Sequence, residues 1–250
     1  MNYFIKKALR YPVVTYFYHK ISPSSSYAQK KEDLVTKLLF GNVKRFIDIG
    51  ANDGISGSNT FFFALKGAHG LCFEPVHAIY KRLYDLYRFN SRIICINEGI
   101  SDQKKKYEIR VDGVISTIIE TEDPLNKACL KEFMDINARN ELIEVKPLYY
   151  YIVKFPDFKN VDLLSIDVEG HELNVINGIN FKQVNIKCII LESLGGKTTN
   201  YKIIETILKR NDFIPVLTNE LNTFFINKTF INYAIIETVL FKYSEYRSLL

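Results

Sequence analysis

Acidic side chains close four apolar runs in this sequence: Asp48 with Asp53, Glu74, Asp167 with Glu169, and Glu192. Carboxylates so placed can accept hydrogen bonds from hydroxyls, attract a cation or take up a proton. The first belongs to Phe46-Ile47-Asp48-Ile49-Gly50-Ala51-Asn52-Asp53-Gly54, an apolar run with one acid that leads into a turn carrying two glycines. A charge inside such a run is costly unless turn amides or a cationic ligand satisfy it. Asp48 therefore reads either as a ligand-facing acid or as the organiser of its turn. Asn52 stands where the dinucleotide fingerprint needs its second glycine, and Ile55 where it needs the third. That second glycine lets backbone approach a pyrophosphate; without it, the expected ligand is a nucleoside lacking phosphates. Glu74 closes the next run, ahead of Pro75, and suits bidentate acceptance from a ribose diol, with helix capping as the alternative.

A second group lies in Ile166-Asp167-Val168-Glu169-Gly170-His171-Glu172. His171 is a candidate general base, because an unperturbed imidazole titrates near ~6.5; capping the helix that follows is an equal reading. Asp167 and Glu169 are the other candidate bases. Asp167, Glu169 and Glu192 together could instead hold a divalent cation through oxygen ligands, since residues i and i+2 of a strand share a face. His69 and His77 read as structural or exposed, and Lys104-Lys105-Lys106 as a solvated hairpin end.

Groups spread this widely meet only if their strands share one edge. The pattern predicts strands over 44–49, 70–74, 92–97, 161–167 and 186–192. Helices are expected over 28–40, 58–66, 76–89 and 201–210, with another after Gly170 that turns Leu173, Val175, Ile176 and Ile179 inward. Such alternation gives right-handed β-α-β units in a mostly parallel α/β sheet, whose strands release their carboxyl ends into one crevice. Between 103 and 147 the rhythm breaks. Strands are expected over 106–111 and 142–145, a turn at Asp112-Gly113, and a charged, partly helical stretch over 122–139. This reads as an insertion over the site, on the substrate side. Segments 213–217 and 223–227 predict a terminal hairpin. Ser22-Pro23-Ser24-Ser25-Ser26 separates an N-terminal arm or helix (1–27) from a main domain (28–229), and an apolar, aromatic extension (230–250) follows.

At 250 residues one sizeable core is expected, and 47% hydrophobic with 24% charged residues is ordinary for a globular chain. The net charge of +5 is too mild and diffuse for a nucleic-acid protein, and no basic stripe with interleaved aromatics accompanies the acids. Cys72, Cys95, Cys129 and Cys188 show no metal-type spacing and read as reduced core residues, which fits a cytoplasmic location. No run reaches the ~18 to 20 apolar residues of a membrane span. The arm, with Lys6, Lys7 and Arg10 ahead of an aromatic segment, lacks the marks of a signal peptide. It reads as a packing helix, with peripheral membrane contact as the alternative.

Taken together, Asp48-Ile49-Gly50-Ala51-Asn52-Asp53-Gly54, Ser58-Asn59-Thr60, Glu74-Pro75, Asn97-Glu98-Gly99-Ile100-Ser101-Asp102 and Ile166-Asp167-Val168-Glu169-Gly170-His171-Glu172 resemble the FkbM-type S-adenosylmethionine-dependent methyltransferases over about residues 43–227. The resemblance implies a Rossmann-like class I sheet of seven strands ending in an antiparallel strand, with helices on both faces. It implies S-adenosyl-L-methionine as methyl donor, and a sugar, glycan or similar small-metabolite hydroxyl as acceptor. Gly50, Asn52 and Gly54 would line the methionine end, Glu74 would hold the ribose, Asn97 to Ser101 would border the adenine, and Asp167 would sit beside the sulfonium or the acceptor. Asp48, Asp53, Ser58, Asn97, Glu98 and Ser101 complete the implied cofactor-binding set. The extension 230–250 exceeds the family core.

Methyl transfer from a sulfonium asks mainly for alignment and exclusion of water, and an alcohol acceptor also profits from a base or a divalent ion. Rival readings are a methyltransferase acting on a nitrogen or a carboxylate, a non-catalytic nucleoside-binding protein, and a dinucleotide oxidoreductase. The intact acids oppose a degenerate site, and Asn52 opposes the dinucleotide.

Overall fold

The computed structural model describes residues 11–112, 115–118 and 139–250. Helices α1 (Pro12–Ile21) and α2 (Glu32–Phe40) come first. Strand and helix then alternate through β1 (Arg45–Ile49), α3 (Phe61–Leu65), β2 (His69–Phe73), α4 (His77–Tyr87) and β3 (Ile93–Ile96). Next come β4 (Gly99–Ile100), β5 (Lys105–Asp112), β6 (Ile115–Ile118), β7 (Arg139–Lys146) and α5 (Tyr149–Lys154). Alternation resumes with β8 (Asn160–Ile166), α6 (Glu172–Asn177), β9 (Asn185–Glu192) and α7 (Tyr201–Arg210). The hairpin β10 (Phe213–Thr218) and β11 (Asn222–Asn227), helix α8 (Tyr233–Lys242) and β12 (Arg247–Ser248) end the chain.

The main sheet has the order β12-β10-β11-β9-β8-β1-β2-β3. From β3 to β9 neighbouring strands pair parallel, whereas β11 runs antiparallel between β9 and β10. This is the Rossmann-like sheet that the resemblance implies, seven strands with β11 antiparallel, extended by one further strand, β12. Arg247 and Ser248 pair with Thr218 and Leu217, so the tail covers the edge that β10 would otherwise expose.

Period-2 alternation splits the core in two. Phe46 of β1 packs with Val35, Phe61, Leu83 and Val239 of α2, α3, α4 and α8. Its neighbours Ile47 and Ile49 pack on the opposite face with Ile152, Val175 and Ile204 of α5, α6 and α7. Helices thus cover both faces. Helix α1 puts Tyr16 edge-on to Phe61 and Tyr87, while Tyr11, Val14, Phe17 and Ile21 remain exposed.

The segment around 103–147 contributes a second, four-stranded sheet, β4-β7-β5-β6. Along β5, Tyr107, Ile109 and Val111 are buried, and they pack with Ile143 and Val145 of β7 and with Val76 and Ile79 at the start of α4. β7 is longer than expected because its pairing with β5 extends from Lys105↔Val145 to Val111↔Arg139. In contrast, α3 starts three residues later than expected, after Ser58 and Thr60 are drawn into polar contacts described below. Gly113 of the expected turn, residues 122–138, Cys129 and the basic residues Lys6, Lys7 and Arg10 lie outside the described residues. Cys72, Cys95 and Cys188 are free thiols, and burial pushes all three up. Among the described residues no helix is long and apolar enough to cross a membrane.

Candidate active site

The chain leaves β1 for one side of the sheet (β2, β3) and returns for the other (β8, β9), so a crevice opens at the carboxyl ends of β1 and β8. A cavity of about 470 Å³ occupies it. The turn after β1, the ends of β2 and β8, and Ile109, Ile143 and Val145 of the second sheet line its walls. The inserted sheet therefore stands over the crevice and supplies an apolar wall.

The turn is built backbone first. Gly50 has φ +86°, and a Cβ there would lie 1.7 Å from the carbonyl oxygen of Asp167. The amides of Gly50 and Ala51 both donate to the Phe73 carbonyl, at 3.0 and 2.9 Å. Asn52 has φ +49°, a left-handed conformation that asparagine tolerates better than most residues. In that conformation its amide donates to Oε2 of Glu74 at 3.1 Å. Asp53 binds the amides of Ile55 and Ser56 and the Ser56 hydroxyl, which makes it a turn organiser. Gly54 packs beneath Leu83 and Leu86 of α4. Asp53 and Gly54 lie outside the cavity lining; Asp48, Gly50, Asn52 and Ser58 are in it.

Asp48 is buried and accepts a 2.5 Å hydrogen bond from the Thr60 hydroxyl. Burial pushes its carboxyl up to about 6, with the Asp167 charge adding to this while bonds from Thr60 and Ser165 oppose it. Asn59 donates to the Ser165 hydroxyl at 3.1 Å, and Ser58 Oγ accepts from the amides of Thr60 and Phe61. Asp48 thus lines the cavity and is tied to Thr60 at the start of α3.

Glu74 is buried at the mouth of β2, with Oε1 accepting from the Val76 amide at 2.9 Å and Oε2 from Asn52. Burial raises it to about 7 in spite of these two amides. Each carboxylate oxygen has two acceptor sites, so these two amides take one on each, and Glu74 lines the cavity.

Of the segment that closes β3, Gly99 and Ile100 reach the cavity, whereas Asn97, Glu98 and Ser101 do not line it. Asn97 Nδ2 donates to the carbonyls of Glu74 and Pro75, and so holds the β2 end in place. Glu98 accepts from Lys146 and the Tyr151 hydroxyl. Ser101 is fully buried.

β8 ends at Ile166, so Asp167 and Glu169 stand in a turn and the shared-face argument for them does not apply. Glu169 takes φ +52° and Gly170 φ +103°. The turn nonetheless gathers one oxygen each from Asp167, Glu169 and Glu192 within 4.8 Å of one another, a spacing that a hard cation or a shared proton can bridge. Burial, then the charges of Asp167, Glu169 and Glu172, pushes Glu192 up to about 11, and burial raises Asp167 as well, so the cluster favours holding a proton. Asp167 and Glu169 line the cavity; Glu192 sits behind them.

His171 occupies the N-cap position of α6, yet its ring makes no capping bond. Instead Glu172 Oε1 accepts from the amides of Val168 and Gly170. The ring lines the cavity and meets the Ser101 hydroxyl through Nε2 at 2.9 Å. Burial lowers it to about 4, leaving a neutral imidazole.

Sequence reasoning missed several wall residues. Gln29 reaches the cavity because Ala28 and Gly57 form a parallel bridge, and no local pattern signals a contact between segments so far apart. Ser165 was legible only as a polar residue inside an apolar run, and Asn59 only as part of Ser58-Asn59-Thr60 in the resemblance.

The family model for the methyltransferase FkbM domain matches residues 48–215, more than half of the chain. No curated protein matches. Among solved structures, a methyltransferase FkbM from Methylobacillus flagellatus KT aligns at 16% identity with a TM-score of 0.48, covering 90% of this chain and 55% of that one. A methyltransferase from Geobacter sulfurreducens aligns at 9% identity and TM-score 0.45, over 89% and 87% of the two chains. Precorrin-6y C5,15-methyltransferase from Geobacter metallireducens GS-15 aligns at 9% identity and TM-score 0.43, over 81% and 91%. On the match over residues 48–215, with its acids and turn in the crevice, this chain belongs to the FkbM methyltransferase family.

Proposed function

We propose that the protein is an S-adenosyl-L-methionine-dependent O-methyltransferase acting on a hydroxyl of a sugar, glycan or similar small metabolite. The observation that carries this reading is Glu74, a buried carboxylate that lines the cavity with one acceptor site per oxygen beyond those its two amides take, beside a turn that holds Asn52 where a pyrophosphate would need glycine. A ribose diol fits that carboxylate. Asp48, Asp167 and Glu169 line the same cavity; their field attracts a cationic sulfonium and ammonium and repels phosphate.

When bound, the donor supplies a methyl group already activated by its positive sulfur. The residues of the chain have the remaining tasks. Gly50 and Asn52 shape the floor, Glu74 fixes the ribose, and the wall of Ile109, Ile143 and Val145 excludes water. As the oxygen–carbon bond forms and the carbon–sulfur bond breaks, the hydroxyl proton passes to a base, for which neutral His171 stands in the lining.

Transfer of labelled methyl from the donor to a panel of nucleotide sugars and free deoxysugars, with and without chelator, tests the reading. Label in an ether on a sugar oxygen supports it. Label confined to amine or carboxylate acceptors overturns the O-directed part, and loss of transfer with chelator would bring a cation to the Asp167–Glu169–Glu192 cluster.

A further inference from the structure

The hydroxyl of Ser101 stands between two groups that constrain it in opposite ways. Ser101 Oγ lies 3.0 Å from Oδ1 of Asp102 and 2.9 Å from Nε2 of His171. A hydroxyl has one proton to give, and an ionised carboxylate can only accept. Ser101 must therefore donate to Asp102 and accept from His171. An imidazole that donates from Nε2 carries its lone pair on Nδ1, and among the described residues no hydrogen bond reaches Nδ1.

The ring is also held in place. Tyr107 of β5 meets it edge-on, with centroids 5.4 Å apart at 72°. The helix that begins at His171 ends against the same loop: a Cβ on Gly178 would lie 2.0 Å from the carbonyl oxygen of Ser101. Helix α6 and the 101–102 loop are thus in contact at both ends of the helix. Ser101 is fully buried, whereas Asp102 is exposed.

We propose that Asp102, acting through Ser101, fixes His171 as the tautomer protonated on Nε2, which presents Nδ1 as the acceptor for the proton of the substrate hydroxyl. Asp102 and Ser101 are positioning residues in this scheme. It rests on the methyltransferase reading for the purpose of the base, but not for the tautomer itself. The logic is that of any base whose tautomer is set by a hydrogen-bonded acid, here relayed through one hydroxyl. On proton transfer Nδ1 gains the proton, and the resulting imidazolium still donates from Nε2 to Ser101, so no bond of the chain has to break.

The test is a long-range proton–nitrogen correlation spectrum of the full chain carrying ¹⁵N-labelled histidine, near neutral pH. The signal of His171 is identified by its loss in His171→Gln. Expected is the pattern of an imidazole protonated on Nε2. In Ser101→Ala that pattern should give way to a mixture of tautomers. Asp102→Asn should do the same, because an amide can donate to Ser101 as well as accept from it. The exposed position of Asp102 makes the second variant independent of any packing defect in the first. A wild-type His171 protonated on Nδ1, or a pattern unchanged in both variants, overturns the proposal. The spectrum needs neither donor nor acceptor, so its outcome is separate from that of the methyl-transfer assay.

Discussion

Gly50 and Asp167 touch backbone to backbone, and a methyl group on Gly50 would sit 1.7 Å from the Asp167 carbonyl oxygen. Through this contact the turn after β1 and the turn after β8 form a single floor for the cavity. The amide of Asp167 also donates to the Ile49 carbonyl at 3.0 Å, which leaves neither turn free to retreat. Gly50→Ala combines a backbone clash with a φ of +86°. It should destabilise the fold by at least about 3 kcal/mol, read from denaturant melts. A loss below about 1 kcal/mol would show that the two turns separate easily.

Ionisation of Glu74 should weaken the ligand-free protein. Its carboxyl rises from 4.5 to about 7 on folding, chiefly by burial. A folded value above the unfolded one favours the neutral form, so this contribution is fully present below pH 4.5 and is lost as pH rises through about 7. Glu74→Gln removes the charge. Its stability advantage over wild type should be about 1 kcal/mol or less at pH 5 and should grow to about 3 kcal/mol at pH 8. Paired denaturant melts at the two pH values check this, and an advantage that shrinks as pH rises would refute it.

Glu32 should prove a stability residue although it lies far in sequence from its partners. It is buried, and its Oε1 accepts from Asn219 in the β10–β11 connection and Asn222 at the start of β11, while Oε2 accepts from the Lys30 amide. Glu32→Ala strands three donors, two of them on buried residues. A cost of about 2 to 4 kcal/mol is expected, with Glu32→Gln costing less. Equal melting temperatures for wild type and Glu32→Ala would contradict it.

The parallel sheet was legible because each apolar run carries its own period and its own stop. Asp48, Glu74 and Asp167 close such runs, and a shared strand direction alone brings them to one edge. The contacts of Asp53, Gly54, Asn97 and Glu98 were not legible at that level. Asp53 and Asn97 turn to backbone groups, Gly54 packs its backbone against α4 and Glu98 takes Lys146, and only tertiary packing decides that. The turn at 167–170 differs from a strand end for a similar reason: Glu169 takes a left-handed φ that no propensity suggests. The tail, unreadable as sequence, becomes α8 and an edge strand because β10 offers unpaired backbone. Nothing in its own segment marks Glu32, since its asparagine partners, Asn219 and Asn222, are contributed by the opposite end of the chain.

Calorimetry on the ligand-free protein with S-adenosyl-L-methionine, S-adenosylhomocysteine and NAD in parallel, repeated on Glu74→Ala, is the most direct measurement of what the crevice holds. Both sulfur ligands should bind and NAD should not, and Glu74→Ala should weaken the sulfur ligands by about ten- to a hundredfold, as expected when hydrogen bonds to a charged acceptor are removed. Absence of binding by either sulfur ligand, or an affinity unchanged in Glu74→Ala, would contradict the assignment of Glu74 as the ribose holder of a methyl-donor site.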